Sequence, residues 1–281
     1  SVLSNPEFLS EGNAINDLEQ PDRVLIGGED QSAINLLVDL YLNWVPREKI
    51  ILTNIWSSEL SKLTANAFLA QRISSINSIR SLCEATGADI KQVSKAIGMD
   101  SRIGKKFLLP GPGFGGSCFQ KDILNLVYLC EYYNLNEVAA YWEGVIKIND
   151  WQKNRIFKII VIKLFGTVFK KKLAILGFSF KANTNDTRNS ASIQICKNLI
   201  EEGAILSIYD PKVDRNQIDK DLNLPFHETN LKKNIQWTKT DSVQDAVKDC
   251  HAIIILTEGE EFEKIDWGSL IKKMKRPAWI F

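Results

Sequence analysis

The sequence has 281 residues, of which 44% are hydrophobic and 25% are charged, and its formal net charge is +1. This length predicts more than one domain, and the balanced charge argues against a nucleic-acid-binding or membrane-surface protein. No apolar run is long enough to span a bilayer. The five cysteines form no close-spaced framework, which indicates reduced thiols in a cytoplasmic protein.

The first 55 residues show the alternation typical of a parallel-sheet α/β domain. Strands are predicted at 23–28 and 49–53, with an amphipathic helix at 32–42 between them. Both ends of the sequence are apolar, and buried strands rarely form natural termini. We therefore expect a fragment of a longer chain, which begins with the tail of a parallel-sheet domain whose start is absent.

The central part of the chain, residues 56–165, is predicted to be helical. Ser57 or Ser58 can cap its first helix, and Gly87 can close it. The predicted helices have the following bounds: 57–85, 89–97, 122–133 and from 136 onward. The last is longer than an average helix, which suits a connector between domains.

Residues 166–281 return to an α/β pattern. Strands are predicted at 172–177, 205–209, 252–257 and 278–281, with a helix at 190–203. This is a doubly wound pattern, in which ligands bind beyond the carboxyl ends of the strands. Only Gly177 follows the first strand, so the dinucleotide fingerprint is incomplete. The sequence thus predicts three domains: 1–55, 56–165 and 166–281.

Residues 111–122, GPGFGGSCFQKD, are the most informative stretch. Their glycines match G-x-G-x-x-G, but flanking prolines and a polar upstream segment exclude the strand that a phosphate-binding loop requires. Cys118 instead stands at the start of a predicted helix, where unpaired N–H groups favour a reactive thiol. Lys121 and Asp122 share its face, which predicts a covalent-catalysis site. The alternative is a buried structural cysteine, which fits the other four cysteines.

Two further groups of polar residues are candidates for binding. Lys62 and Asn66 lie four residues apart on the first long helix, where they could hold an oxyanion or sugar hydroxyls; a solvated face explains them equally well. Lys181 and Arg188 lie in the first βα loop of the last domain, where an anionic ligand is expected; solvated loop charges are the alternative. With two histidines in the chain, no metal site is predicted.

Five segments resemble the UDP-glucose/GDP-mannose dehydrogenase family: residues 1–9, 44–50, 56–79, 113–122 and 209–212. The resemblance implies the tail of a Rossmann-like NAD domain, a helical dimerisation domain and a Rossmann-like UDP-binding domain. It implies that the fragment lacks the first NAD-binding unit and the C-terminal end, and we expect such a fragment to be inactive alone. It also implies NAD as cofactor and oxidation of UDP-glucose to UDP-glucuronate, a four-electron reaction through a cysteine thiohemiacetal and thioester. The expected assembly is a dimer through the central helices, or a hexamer of such dimers.

The same resemblance implies catalytic roles for five residues. Cys118 matches the nucleophile, and Lys62 matches the lysine that stabilises the developing oxyanion or shuttles its proton. Asn66 matches the amide beside that lysine. Asp122 matches a carboxylate that positions the attacking groups, and Glu7 an acid/base in thioester hydrolysis.

The remaining site residues are also carried over from the family. Those expected to face NAD are Glu11, Lys121 and Arg188. Those expected to contact the UDP-sugar are Phe8, Leu9, Arg102, Leu109, Gly111, Gly113, Phe114, Gly115, Phe119, Phe180 and Lys181. Arg102 is expected to reach the site of a neighbouring subunit. Two alternatives stay open: a sister enzyme acting on GDP-mannose or a UDP-N-acetylhexosamine, and an inactive assembly module.

Overall fold

A computed structural model of the chain describes residues 1–222 and 236–281. They divide into two compact units, one of residues 1–69 with 121–143 and one of residues 70–120 with 144–281. Among these described residues, no helix combines the length and apolar character needed to cross a membrane.

The first unit contains a three-stranded sheet. Its elements are β1 (Leu3–Ser4), α1 (Ala14–Glu19), β2 (Val24–Gly28), α2 (Gln31–Tyr41) and β3 (Ile50–Thr53). β2 and β3 are parallel, as predicted, and β1 adds antiparallel to the other edge of β2. Ile34 and Val38 of α2 pack against the buried face of β2. The sequence pattern missed β1 because two residues are too short to show an alternation.

Four helices make up the helical region: α3 (Ile55–Thr86), α4 (Ile90–Gly98), α5 (Phe119–Tyr132) and α6 (Asn136–Lys163). The prediction that Ser57 or Ser58 caps α3 is wrong, because the helix begins at Ile55 and the side chain of Asn54 accepts the Ser57 N–H at 2.7 Å. Its end is confirmed by Gly87, which has a φ of +80° that favours glycine.

The second unit ends in a five-stranded parallel sheet. Its elements are β4 (Lys172–Leu176), α7 (Ala191–Glu201), β5 (Ile205–Tyr209), α8 (Arg215–Leu222), β6 (Trp237–Lys239), α9 (Val243–Val247), β7 (Ala252–Ile255), α10 (Glu260–Glu263), α11 (Trp267–Ile271) and β8 (Trp279–Ile280). The strand order is β6-β5-β4-β7-β8, with apolar clusters on both faces. This confirms the doubly wound α/β prediction, although β6 was missed.

The order of the strands reverses at β4, so the loops after β4 and β7 flank a topological switch point. Ligands of doubly wound sheets bind at such a point, outside the carboxyl ends of the strands. The segment between β4 and α7, residues 177–190, is therefore the part of this sheet best placed to hold a ligand.

Candidate active site

Cys118 immediately precedes α5 and is exposed, whereas the other four cysteines are buried. Burial raises the pKa of the Cys130 thiol and raises that of Cys250 to about 12. A thiol reacts through its thiolate and only when a reagent can reach it. The buried structural alternative therefore does not hold for Cys118, whose catalytic role stays a prediction.

The glycines before Cys118 pack against the segment that follows β4. The Gly116 N–H donates to the Arg188 carbonyl at 2.7 Å, and Asn189 Nδ2 donates to the Gly116 carbonyl at 3.3 Å. Gly116 has a φ of +82°, and a Cβ there would lie 3.1 Å from the Phe180 ring. A Cβ on Gly115 would lie 2.7 Å from the Asn189 carbonyl oxygen. The glycines thus allow the cysteine-bearing loop and the β4–α7 segment to meet backbone to backbone.

The other predicted substrate contacts of this loop differ in their exposure. Phe114 is buried, and its ring meets the ring of Phe119 edge to face with centroids 5.9 Å apart. Gly111 and Gly113 are half-buried. Leu109 is 67% exposed. Phe114 therefore supports the interior of the loop, and Leu109 presents its side chain to the surface.

Arg102 and Arg188, the two arginines among the predicted site residues, each form an ion pair with an aspartate two residues earlier in the chain. Asp100 accepts from the Arg102 guanidinium at 2.6 Å and from the Arg102 N–H at 3.0 Å. Asp186 does the same for Arg188, at 2.7 Å and 2.9 Å. The guanidinium of Arg102 lowers the pKa of the Asp100 carboxyl. The two aspartates were missed in the sequence, where the repeated Asp-x-Arg spacing was the available signal.

Phe180 and Lys181 lie in the segment that follows β4, at the switch point of the sheet. The Phe180 N–H donates to the Asp186 carbonyl at 3.0 Å, which bends the segment back on itself. The ammonium of Lys181 lies 5.6 Å from the centre of the Phe180 ring. The aromatic ring and the cation are thus both presented by the loop in which ligands of doubly wound sheets bind.

The first turn after β4 is not free to bind a dinucleotide in the usual way. Gly177 has a φ of +85°, and a Cβ there would lie 2.4 Å from the Cβ of Thr257. Asp210, at the end of β5, is the position whose carboxylate binds a ribose in dinucleotide-binding units. Here its Oδ2 accepts the N–H groups of Phe178 and Ser179, at 2.7 Å and 3.0 Å. The acidic residue therefore serves the fold of this unit.

In the first unit, close packing of α3 against β2 places Lys62. A Cβ on Gly27 of β2 would lie 2.4 Å from the Cβ of Ser58, so glycine is needed where the helix crosses. The Ser4 hydroxyl of β1 donates to the carboxylate of Glu59 and lies 2.9 Å from the hydroxyl of Ser58. These contacts fix the first turns of α3, and Lys62 follows one turn later.

Lys62 forms an ion pair with Glu7 in this unit. Their charged groups are 3.2 Å apart, and the Lys62 side chain is 19% exposed. The second oxygen of Glu7 accepts the N–H of Leu9 at 2.7 Å. The ring of Phe8 lies 5.6 Å from the Lys62 ammonium and 3.8 Å from the guanidinium carbon of Arg23. Sequence reasoning missed Arg23, because a strand-edge arginine carries no motif.

Asn66 and Asp122 form a second pair in the same unit. Asn66 Nδ2 donates to Asp122 Oδ2 at 2.6 Å, and the two residues are only 9% and 6% exposed. A buried carboxylate needs a hydrogen-bond donor, and the Asn66 amide provides it. Asn66 is therefore a buried partner of Asp122 and does not lie on a solvated face. Lys121 and Glu11 are exposed. Within residues 1–222 and 236–281, no cluster of three or more His, Cys, Asp or Glu could hold a metal ion.

Three sequence models of one family match successive parts of this chain. Residues 1–45 match the UDP-glucose/GDP-mannose dehydrogenase family NAD binding domain, residues 56–151 its central domain, and residues 174–281 its UDP binding domain. Together they account for most of the 281 residues.

Individual relatives agree with these matches. UDP-glucose 6-dehydrogenase of Bos taurus is 58% identical over 284 residues, covering 100% of this chain and 58% of that protein. UDP-glucose 6-dehydrogenase 1 of Glycine max is 54% identical over 297 residues, covering 100% of this chain and 61% of that protein. A solved UDP-glucose dehydrogenase from Pyrobaculum islandicum has a TM-score of 0.85 at 29% identity, covering 100% of this chain and 63% of that one. The chain thus spans about three-fifths of the length of the relatives it matches, and it belongs to the UDP-glucose/GDP-mannose dehydrogenase family.

Proposed function

We propose that the protein containing this chain oxidises the C6 alcohol of UDP-glucose to a carboxylate, giving UDP-glucuronate in the cytoplasm. The observation that carries this proposal is the exposed Cys118 on a glycine loop that is hydrogen-bonded to the β4–α7 segment. A nucleophile joined to the ligand-binding loop of a doubly wound sheet suits covalent chemistry on a nucleotide-linked substrate. The relatives named UDP-glucose 6-dehydrogenase support the choice of sugar.

The chemistry requires four electrons to leave one carbon. The alcohol is first oxidised to the aldehyde, and Cys118 Sγ then forms a C–S bond to the carbonyl carbon, giving a thiohemiacetal. A second oxidation turns this adduct into a thioester. Water then attacks the thioester carbon and the C–S bond breaks. The Cys118 thiol is regenerated, and the carboxylate is released as the product. NAD, when bound, would supply the hydride acceptor that each of the two oxidations needs.

The polar pairs of the first unit suit the proton movements of this sequence. The Lys62 ammonium, held by Glu7 at 3.2 Å, would stabilise the oxyanion that develops on the sugar C6. Glu7 would take the proton from the attacking water in the last step. Asn66 and Asp122 hold one another at 2.6 Å, and we assign them to positioning these groups.

Cationic and acidic side chains of the chain suit a dinucleotide cofactor. Lys121 and Arg188 present cationic head groups, the chemistry that the diphosphate of NAD requires, and Glu11 would face the same cofactor. The sheet of β4 to β8 in the second unit is poorly suited to a dinucleotide, because the carboxylate of Asp210 already accepts hydrogen bonds from backbone N–H groups. We therefore assign UDP binding to residues 166–281. The tail of the NAD-binding domain is assigned to residues 1–55 and dimerisation to residues 56–165.

The contacts to UDP-glucose are assigned to the residues that match the UDP-sugar contacts of the family. Phe180 and Lys181 would hold the uridine diphosphate, and isothermal titration with UDP should show weaker binding for Lys181→Ala. The remaining contacts assigned to the substrate are Phe8, Leu9, Arg102, Leu109, Gly111, Gly113, Phe114, Gly115 and Phe119. Arg102 is 87% exposed in its side chain, which suits a role in the site of a neighbouring copy.

Self-association through the central helices is part of the proposal. Seven residues of the first unit line an apolar groove of about 400 Å³: Trp56, Leu60, Leu126, Leu129, Cys130, Tyr133 and Leu135. Tyr128 and Tyr132 of α5 are also exposed, at 61% and 67%. Apolar surface of this kind marks interaction sites. Light scattering should detect a dimer or a hexamer of dimers.

A substrate panel with an NADH absorbance readout tests the proposed activity. Protein containing this chain should form NADH with UDP-glucose in preference to GDP-mannose or a UDP-N-acetylhexosamine, and about two NADH per UDP-glucuronate follow from the two oxidations. Cys118→Ser should stop turnover because a serine hydroxyl is a weak nucleophile at neutral pH, whereas Cys250→Ser serves as the matched control. Preference for another nucleotide sugar would indicate a sister enzyme. Ordered oligomers without NADH would indicate an inactive assembly module.

A further inference from the structure

We infer that three buried side-chain amides, Asn77, Asn149 and Gln152, are positioning residues that fix the backbone of the Cys118 loop for reaction. The Cys118 loop is defined here as residues 111–118. The inference deepens the proposed function, on which it rests for the role of Cys118. Asn77 lies on α3, and the other two lie on α6.

Asn149 binds both backbone groups of one loop residue. Its Oδ1 accepts the N–H of Phe114 at 2.8 Å, and its Nδ2 donates to the carbonyl of Phe114 at 3.1 Å. The same oxygen would lie 2.7 Å from a Cβ on Gly113, whose φ is +134°. The amide thus replaces a strand partner for the loop, and the glycine leaves room for it.

Asn77 and Gln152 do the same for Gly111 between them. Asn77 Oδ1 accepts the Gly111 N–H at 2.9 Å, and Gln152 Nε2 donates to the Gly111 carbonyl at 2.9 Å. The backbone groups dictate these orientations, because an N–H requires an acceptor and a carbonyl requires a donor. Asn77 therefore works through its oxygen and Gln152 through its nitrogen.

These amides are more than a means of filling the interior. Asn77 and Gln152 are 0% exposed and Asn149 is 2% exposed. The second amide atoms, Asn77 Nδ2 and Gln152 Oε1, are buried without a hydrogen-bond partner in the described part of the chain. Burial of unsatisfied polar atoms costs stability, and an apolar side chain would avoid that cost. What the amides provide is a fixed backbone at Gly111 and Phe114.

The loop is thereby held from two sides. The amides bind residues 111 and 114, and the Arg188 carbonyl binds the N–H of Gly116 at 2.7 Å. Cys118 follows two residues later. A displacement of about 1 Å in a reacting group can lower a rate about 100-fold, so a loop rich in glycine needs such fixed points to deliver the thiol reproducibly.

A matched pair of variants tests the inference, Asn77→Asp and Gln152→Glu. Both add one carboxyl group at a fully buried position, so the burial of charge affects them alike. Asn77→Asp keeps the acceptor for the Gly111 N–H, whereas Gln152→Glu removes the donor to the Gly111 carbonyl. We expect Gln152→Glu to lower kcat about 100-fold with a smaller change in KM, and to accelerate amide hydrogen exchange across 111–118. Asn77→Asp should stay far closer to the wild type in both measurements.

A pH profile separates positioning from a general loss of stability. A protonated carboxyl group can donate a hydrogen bond, so the kcat of Gln152→Glu, relative to the wild type, should recover as the pH is lowered. Asn149→Leu provides a neutral variant of similar size, which should also lose about 100-fold in kcat. Asn154→Leu, at an exposed position of the same helix, is its control and should behave as the wild type.

Wild-type kcat and exchange in Asn149→Leu, or equal effects of Asn77→Asp and Gln152→Glu, would overturn the inference. Absence of NADH formation in the wild type would instead overturn the proposed function. Hydrogen exchange across 111–118 needs no catalysis, so it would still decide whether the three amides fix the loop.

Discussion

Substitution of Asp210 by asparagine should destabilise the last sheet and loosen the loop that follows β4. The Asp210 carboxylate is 2% exposed and accepts four backbone N–H groups, two through each oxygen. Oδ2 binds Phe178 and Ser179, and Oδ1 binds Lys212 and Val213. Asparagine has one acceptor oxygen, so its amide nitrogen must face one of these two pairs.

The expected loss of stability is set by the orientation of the new amide that leaves fewer buried N–H groups without an acceptor. Phe178, Ser179 and Val213 are buried, whereas Lys212 is exposed and its N–H can turn to water. With the new nitrogen facing Lys212 and Val213, one buried donor loses its acceptor, which costs about 1–3 kcal/mol. The opposite orientation would strand two buried donors. We therefore expect a loss of about 1–3 kcal/mol, against a typical total stability of about 5–15 kcal/mol.

Urea denaturation followed by tryptophan fluorescence measures this loss. With an m-value of about 3 kcal/mol/M, the midpoint should fall by about 0.3–1 M. Asp219→Asn, at an exposed position of α8, is the control and should stay within about 0.5 kcal/mol of the wild type. A similarly small effect of Asp210→Asn would refute the reasoning that this carboxylate anchors the loop after β4.

Three further predictions follow from exposure, backbone conformation and pKa. Iodoacetamide should modify Cys118 first in the folded protein, as mass spectrometry of digests would show; faster reaction at Cys250, whose pKa burial raises to about 12, would contradict this. Gly116→Ala should lower the urea midpoint more than Gly87→Ala, because both glycines have positive φ but only the former has a ring at 3.1 Å from the new Cβ; equal losses would show that strain alone matters. Burial lowers the pKa of His251 from 6.5, so its neutral form contributes stability above about pH 6.5 that is lost as the pH falls through the folded pKa. His251→Gln should flatten the pH dependence of the urea midpoint in this window, and an unchanged profile would assign it to other groups.

The sequence alone determined the strands other than β1 and β6, and the helices with long apolar periods. Residues 205–209 form β5 as predicted, and the long helix beginning at Asn136 is α6. Cys118 was also separable from the other cysteines, because only it follows glycines and precedes a helix. These features are local, since hydrophobic period and turn chemistry are read over a few residues.

Tertiary structure decided which polar groups are partners. Asn149 and Phe114 are 35 residues apart in the chain, and Asn66 and Asp122 are 56 apart, yet each pair is hydrogen-bonded. From the sequence alone, an amide on a helix is equally consistent with a solvated side chain and with a buried one. Only the packing of elements distant in the chain brings a donor to a specific acceptor and excludes water from both, and so assigns the residues that fix the Cys118 loop.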